Sequence, residues 1–285
     1  MPRSRASEAE HPVSPVGRLL RRWRRLRGLS QLGLALEAQI SARHLSFVET
    51  GRSRVSRDTV LRLAEALGVP LRQRNALLTA AGYAPLYRGT SLFAPEMTQV
   101  RRAVEFLLAR HEPYSALALD RCWNVVLSNA PHRRFLAQLV DPPAVEAFGS
   151  NLLRLTFHPE GLRPCIVNWD IVGSTIIRRV HREADEQTDD ELAALLDEVL
   201  SYPGVTPAWR QPNLDDPPPL LLPVHLRRGS IELVLFSTIT TLGTPQDVTL
   251  EGLRIETFFP ANAQTERVMR AATEADRPPG SAPDV

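Results

Sequence analysis

Between Ser41 and Ser56 the chain reads SARHLSFVETGRSRVS, and this stretch gathers the groups best suited to hold a polyanion. Arg43, Arg52 and Arg54 lie inside it and Arg57 follows at once. A guanidinium is planar, permanently charged and forked, so it can give two hydrogen bonds to a phosphate or to the O6 and N7 edge of guanine. Residues able to do covalent chemistry are not arranged for it. His158, His181 and His225 are scattered, without the spacing of a metal set. Cys122 and Cys165 have no evident base, and Ser150, Ser174 and Ser237 sit in no nucleophile-elbow pattern. No glycine-rich loop cradles a phosphate. The sequence thus argues for a binding protein and against an enzyme, and it points to no metal and no cofactor.

For Arg43 to act with its neighbours it needs a short helix held from behind, and Leu45 and Val48 supply that anchor. The surrounding pattern is helical. Val16, Leu19, Leu20, Trp23 and Leu26 share one face, with Arg18, Arg21, Arg22 and Arg25 over much of the rest. Gly28 ends that helix, and Ser30 caps a second over 31–37. A three-residue connection, 38–40, leads to a third helix capped by Ser41 and ending near Thr50 and Gly51. Ser56 or Arg57 opens a fourth, with Val60, Leu61, Ala64 and Leu67 apolar. A fifth, about 71–81, is expected to turn Leu71, Ala76, Leu77 and Leu78 inward. Five short helices in this space predict a compact all-α domain.

Charge divides the chain in the same place. The whole sequence of 285 residues carries a net charge of only +2, but residues 1–90 hold 16 Arg against 6 Asp or Glu. The remainder is acidic, and there is no Lys anywhere. A basic head on an acidic body suits a polyanionic partner. The N-terminus has no apolar signal-peptide core, and no apolar run approaches the ~20 residues of a membrane span, so a cytoplasmic protein is expected. Two cysteines make neither a disulfide framework nor a metal cluster, and both are expected to be buried small hydrophobes.

Two helices joined by a tight turn are the geometry of a helix-turn-helix, whose second helix enters the DNA major groove. Residues 30–56 resemble the lambda-repressor-like, or Xre-type, regulators. The resemblance rests on Ser30-Gln31, Leu34-Ala35, Ile40-Ser41, Leu45, Val48-Glu49 and Gly51-Arg52. Gln39 departs from it, standing where the family often has Gly; a left-handed backbone there would cost about 1 kcal/mol. The resemblance implies that Ala42, Arg43 and Phe47 face base edges, and that Arg52, Arg54 and Arg57 meet phosphates. Gln31, at a helix N-terminus, is expected to hold a phosphate, and Ser41 to cap and touch one. His44 and Ser46 lie within reach of backbone or base. Arg24 and Glu49 are expected, by resemblance, to form a partly buried ion pair between helices one and three. The arginines from Arg18 to Arg27 can equally be a solvated face, and Trp23 is read as core.

Residues 82–96 carry Gly and Pro without periodicity and read as a linker. A helix is expected at 97–111, then two short strands around a turn at Asp120-Arg121. Helices follow at about 131–139, 149–157, 168–185 and 189–201, and 211–220 is a loop. Three antiparallel strands, the first pair joined at Arg228-Gly229, precede a terminal helix at 262–273. This predicts an α+β domain whose sheet is covered by helices on one face. Residues 113–136 and 151–170 resemble the ligand-binding domain of MmyB-like regulators, through Pro113, Leu119, Asp120, Trp123, Asn129, Asn151-Leu152-Leu153, Phe157 and Trp169. That resemblance implies a PAS-like, five-stranded antiparallel sheet enclosing a small-molecule cavity.

Candidate lining residues are Phe106, Trp123, Val125, Leu127, Phe135, Leu152, Phe157, Trp169, Ile176, Leu233, Leu235 and Phe258, each of which can also be ordinary core. An apolar cavity suits a hydrophobic ligand such as a fatty acid or polyketide-like metabolite, with Arg178 or Arg179 able to meet a carboxylate. The chain as read comprises a disordered N-terminus (1–14), a helix-turn-helix domain (15–82), a linker (83–96), a PAS-like domain (97–273) and a disordered tail (274–285). The function expected is a ligand-responsive, sequence-specific transcription regulator binding duplex DNA as a homodimer on a palindromic operator. A haem sensor using His181 or His158, and an antitoxin or interaction hub with an exposed apolar face, remain alternatives.

Overall fold

The computed structural model describes residues 14–187, 189–211, 219–243 and 245–274. The N-terminus before Ser14, the tail from residue 275 and most of the 211–220 loop lie outside the described residues. Those up to Gly89, with Gln246–Val248, form one compact unit; Thr90–Pro245 and the residues from Thr249 onward form the other.

The first unit consists of α1 (Pro15–Leu26), α2 (Gln31–Glu37), α3 (Ala42–Thr50), α4 (Arg57–Ala66) and α5 (Leu71–Ala80). Serine starts four of them. The hydroxyls of Ser14, Ser30, Ser41 and Ser56 accept the N–H groups of Gly17, Gly33, His44 and Thr59, each meeting a donor that a helix start leaves unpaired. Val16, Leu20 and Trp23 pack with Leu34, Leu45, Val48, Leu63, Leu77 and Leu78 in one core. Helix α1 crosses α3 so closely that a Cβ on Gly17 would stand 2.6 Å from the Val48 carbonyl oxygen. Ala76 and Leu26 are exposed instead of buried. Each lies at the edge of its apolar stripe, where neighbours already fill the core.

The turn before α3 is closed by backbone bonds from Gln39 N–H to Leu36 and from Ile40 N–H to Ala35. Gln39 takes φ 53°, the left-handed conformation that favours glycine. Replacing it is expected to help: Gln39→Gly should stabilise this unit by about 0.5–1 kcal/mol, read as a higher denaturant midpoint at unchanged slope. A lower midpoint would mean that the Gln39 side chain holds the turn.

Much of the expected linker is tied down. Tyr83 donates to the Val55 carbonyl at 3.0 Å, and the Asn75 side chain holds the backbone of Leu86 and Tyr87. Leu92 is buried in the core of the second unit.

That unit is built on α6 (Thr98–Arg110), β1 (Ala116–Leu119), β2 (Val125–Ser128), α7 (Ala130–Leu139), α8 (Pro142–Phe148), α9 (Leu152–Phe157), α10 (Trp169–Gln187), α11 (Asp190–Leu200), β3 (Val224–Arg228), β4 (Ile231–Thr241), β5 (Arg254–Pro260) and α13 (Ala263–Glu274), with the one-turn α12 (Val248–Glu251) before β5. The strands form one antiparallel sheet in the order β2-β1-β5-β4-β3, an α+β, PAS-like architecture. Helix α8 escapes the sequence reading because its seven residues begin with two prolines and show too few turns for a period. Both sheet faces are covered. Val104 and Leu108 of α6 pack on Ala116, Ala118 and Ile255, while Leu117 and Leu119 face the α9–α11 side.

A candidate DNA interface and an apolar cavity

Helix α3 is fixed from behind by a buried carboxylate. Glu49 is 0% exposed and accepts from Arg24 Nε at 2.7 Å, Arg24 Nη2 at 2.9 Å and Gln31 Nε2 at 2.8 Å. Arg24 Nη1 reaches the Leu29 carbonyl at 2.9 Å, and Arg21 Nη2 the Glu49 carbonyl at 3.0 Å. Burial alone would raise the Glu49 pKa; the bonds from Arg24 and Gln31 and the charges of Arg24 and Arg21 outweigh it and hold the carboxyl below its ordinary value. Gln31 therefore has a structural task beside the phosphate contact expected of it. One N–H of the Gln31 amide is committed inward to the carboxylate, and the amide's second N–H is left over for a phosphate.

The outward side of α3 is left to solvent. Arg43 is exposed and its guanidinium stands 5.4 Å from the centre of the Phe47 ring, a contact that holds the long side chain up on the helix surface. His44, Ser46 and Phe47 are half-buried, and Ala42 leans partly on the core. The hydroxyl of Ser41 is occupied by the N–H of His44 at 3.1 Å. Arg52, Arg54 and Arg57 are exposed on the following loop and the first turn of α4. Among the described residues none of Arg43, Arg52, Arg54 and Arg57 is paired with a carboxylate. Arg27, in contrast, is used structurally: its Nε caps α4 through the Leu67 carbonyl at 2.9 Å.

In the second unit the helices and the sheet enclose a cavity of about 280 Å³. Trp123, Phe135, Leu152, Ile176, Leu235 and Phe258 line it. The other six expected positions do not. Phe106 is 58% exposed, because Val104 and Leu108 are the residues that α6 turns to the sheet, on its far face. A bulge between Ala118 and Leu119 sets Leu127 opposite Ala118 and Val125 opposite Leu119. Leu127 thereby joins the far face, and Val125 packs in the core around Leu119. Phe157 is fully buried behind the wall, edge-to-face with Trp169 at 4.9 Å. Trp169 is spent between Phe157 and Trp209. Leu233 borders a separate small crevice with Val268 and Met269 of α13.

Beside Ile176 and Arg179, both named from the sequence, the wall holds Val172, Thr175, His132 and Glu256, which the expected set lacks. Val172, Thr175, Ile176 and Arg179 face the cavity from α10 at i, i+3, i+4 and i+7, and Glu256 faces it two residues before Phe258 on β5. His132, one turn before Phe135, is buried with its Nδ1 2.9 Å from the Ser115 hydroxyl; burial, with Arg133 adding to it, pushes its pKa down to about 4. Its ring is thus neutral at ordinary pH.

Two of the wall residues, Trp123 and Arg179, are held from behind by an ionic cluster. Glu183 accepts from Arg254 Nη1 at 3.1 and 3.0 Å, from Arg179 Nε at 2.7 Å and from Trp123 Nε1 at 3.1 Å. Both guanidiniums lie over the Trp123 ring, at 4.8 Å for Arg179 and 4.4 Å for Arg254. Burial opposes the charge on both members of the Arg254–Glu183 pair. It lowers the Arg254 pKa despite Glu183, whereas the Arg254 and Arg179 charges and bonds still hold Glu183 below its ordinary value. Trp123 itself has φ 64°, unusual for a bulky residue. Local bonds impose it: Asp120 Oδ1 accepts the N–H groups of Cys122 and Asn124, and the Asn151 amide donates to the Cys122 carbonyl at 2.8 Å. Asn129 likewise binds the backbone of Leu108, Tyr114, Ala116 and His132. Asp120 and Asn151 thus brace the Trp123 wall, whereas Asn129 ties the start of α7 to α6 and β1.

A potential cation set is disarmed by its surroundings. Ligand atoms of Cys122, Asp189 and Glu191 lie within 4.8 Å of one another, but Arg121 bridges both carboxylates. Burial pushes the Cys122 thiol up to about 12, far from the thiolate a metal needs. Cys165 is buried as well, its thiol donating to the Leu139 carbonyl. Among the described residues no helix is long and apolar enough to cross a membrane.

Comparison with known proteins agrees with this division. The family described as MmyB-like transcription regulator ligand binding domain matches residues 100–272, and a helix-turn-helix family matches residues 20–73. No curated protein matches the chain. Among solved structures, one titled "Structure of an RNA-binding Light-Oxygen-Voltage Receptor" is similar at 13% identity and a TM-score of 0.27, over 94% of this chain and 63% of that one. The chain spans less than two thirds of that relative, and so slight a likeness bears on neither fold nor function.

Proposed function

This chain belongs to the family of MmyB-like transcription regulators, and from that premise we propose a ligand-responsive, sequence-specific regulator that reads DNA with α3 and senses a small hydrophobic, fatty-acid-like molecule in the cavity. The observation that carries the DNA reading is the two-sided use of α3: Glu49 welded inward, Arg43 standing outward on Phe47. Arg43 is the base-reading residue, with two donors for guanine. Arg52, Arg54 and Arg57 bind phosphate and set position without reading sequence. The chain acts in the cytoplasm as a homodimer on a palindromic operator, the half-sites about 34 Å apart.

The cavity supports the sensing role, since it is mostly apolar with a few converging polar groups. Its ligand regulates only by binding the DNA-competent and incompetent states unequally. Both matched families describe regulator modules, in keeping with a protein that is not an enzyme.

Selection of bound duplexes from a random pool supplies the operator, and two variants then test the assignment. Arg43→Ala is expected to cost about 1–3 kcal/mol on the operator and to relax preference at one base pair. Arg52→Ala is expected to weaken all sequences alike and to make the slope of log affinity against log salt shallower by about 1. Unchanged affinity and preference in Arg43→Ala would remove α3 from the groove.

A further inference from the structure

The cavity wall includes a carboxylate, Glu256, one of whose oxygens has no hydrogen-bond partner. Glu256 sits in mid-sheet, paired through the backbone with Leu117 of β1 and Ile239 of β4. It is 8% exposed, borders the cavity, and its Oε2 has no hydrogen-bond partner. The arginines do not supply one. Arg254 Nη1 and Arg179 Nε are both taken by Glu183, and Arg254 keeps Nε and Nη2 unpartnered. Buried acceptors without donors are uncommon because nothing replaces the water they lose. Here the unmet acceptor belongs to the wall of a cavity with room for a guest.

The guest's polar end must suit two opposite neighbours, since Arg179 and Glu256 line the same space. A plain fatty acid can satisfy Arg179 but brings a second carboxylate into the space that Glu256 borders, where the like charges repel. An amine suits Glu256 and opposes Arg179. An acid with a hydroxyl near its carboxyl end suits both. We infer that the ligand is a hydroxylated acyl chain, its carboxylate received by Arg179 and its hydroxyl donating to Glu256. The inference rests on the reading of the cavity as a fatty-acid-like site and narrows it to one ligand class. Ser237, on the neighbouring strand, also borders the cavity and adds a second partner for a hydroxyl.

The test is calorimetric titration of the full chain, stripped of lipid, with decanoic acid, β-hydroxydecanoic acid and decylamine. Wild type should bind the hydroxy acid at least about tenfold more tightly than the plain acid, and Glu256→Leu, which has no acceptor, should lose most of that preference. The comparison within wild type needs no variant to fold; thermal melting checks that the variant does. Equal binding of the two acids by wild type, tighter binding of decylamine, or an undiminished preference in Glu256→Leu would each overturn the inference while leaving an apolar ligand site in place. Binding of none of the three would overturn both the inference and the fatty-acid reading beneath it.

Discussion

Glu49→Ala is expected to cost the first unit about 3–5 kcal/mol, the penalty for breaking a buried ion pair by removing one partner. The substitution leaves Arg24, whose side chain is mostly buried, without its two carboxylate bonds, and Gln31 without its acceptor. A small domain has only about 5–15 kcal/mol in total, so this loss consumes much of it. Hydrogen exchange of the α1 and α3 amides in the full chain reads the effect directly. Arg21→Ala is the control. Arg21 is more exposed and lies 3.5 Å from the carboxylate, so its loss is expected to cost under about 1 kcal/mol.

The same group sets a pH dependence. The Glu49 carboxyl is held below its ordinary value in the folded state. Its contribution is therefore complete above the unfolded value, about 4.3, and is lost as the pH falls through the lower folded value. Wild type should lose protection of α1 and α3 in that acid range, and Glu49→Gln should show a flatter profile from a lower start. Equal protection in wild type and Glu49→Ala at neutral pH would mean that α3 is held by its apolar contacts alone.

The first unit is legible in the sequence because its rules are local. Serine caps, a 3.6-residue period and a glycine at the end of α3 each act within a turn or two. What those local rules do not give is tertiary: the exposure of Ala76 and Leu26, and the bond from Gln31 to Glu49, 18 positions away. The second unit shows the opposite case. Its strands follow from alternation, but which residues reach the cavity depends on a bulge, on which face α6 covers and on what α13 overlies. A search for large apolar residues therefore found Trp123 and Phe258 but also Leu127 and Phe106. The inward register of β5 does carry Glu256 beside Phe258, so the charged residue was visible in the alternation. Arg179 is legible as a carboxylate partner, but the role of Glu256 is masked by the apolar residues around it in the pattern. Asp120, Asn129 and Asn151 were noticed through resemblance, yet their physical task appears only once their backbone partners are known.

Glu183→Ala has the largest expected effect in the second unit, also about 3–5 kcal/mol. Glu183 is the shared acceptor for Arg254, Arg179 and the Trp123 indole, so its loss strands two guanidiniums and one N–H together. Arg254 suffers most, being 9% exposed and already carrying two unpartnered nitrogens. That asymmetry makes a double variant informative. Glu183→Leu with Arg254→Leu removes the buried charge and its orphaned donors at once, and replacing both partners by apolar groups can be nearly neutral. The double variant should therefore be more stable than Glu183→Leu alone, a coupling that denaturant unfolding of the four proteins in the cycle measures directly. Arg179 stays in both backgrounds, half-exposed and able to reach water, so its contribution cancels. If the two single losses simply added, the cluster would be a set of independent contacts, and Trp123 would owe its place in the wall to the backbone braces around Asp120 alone.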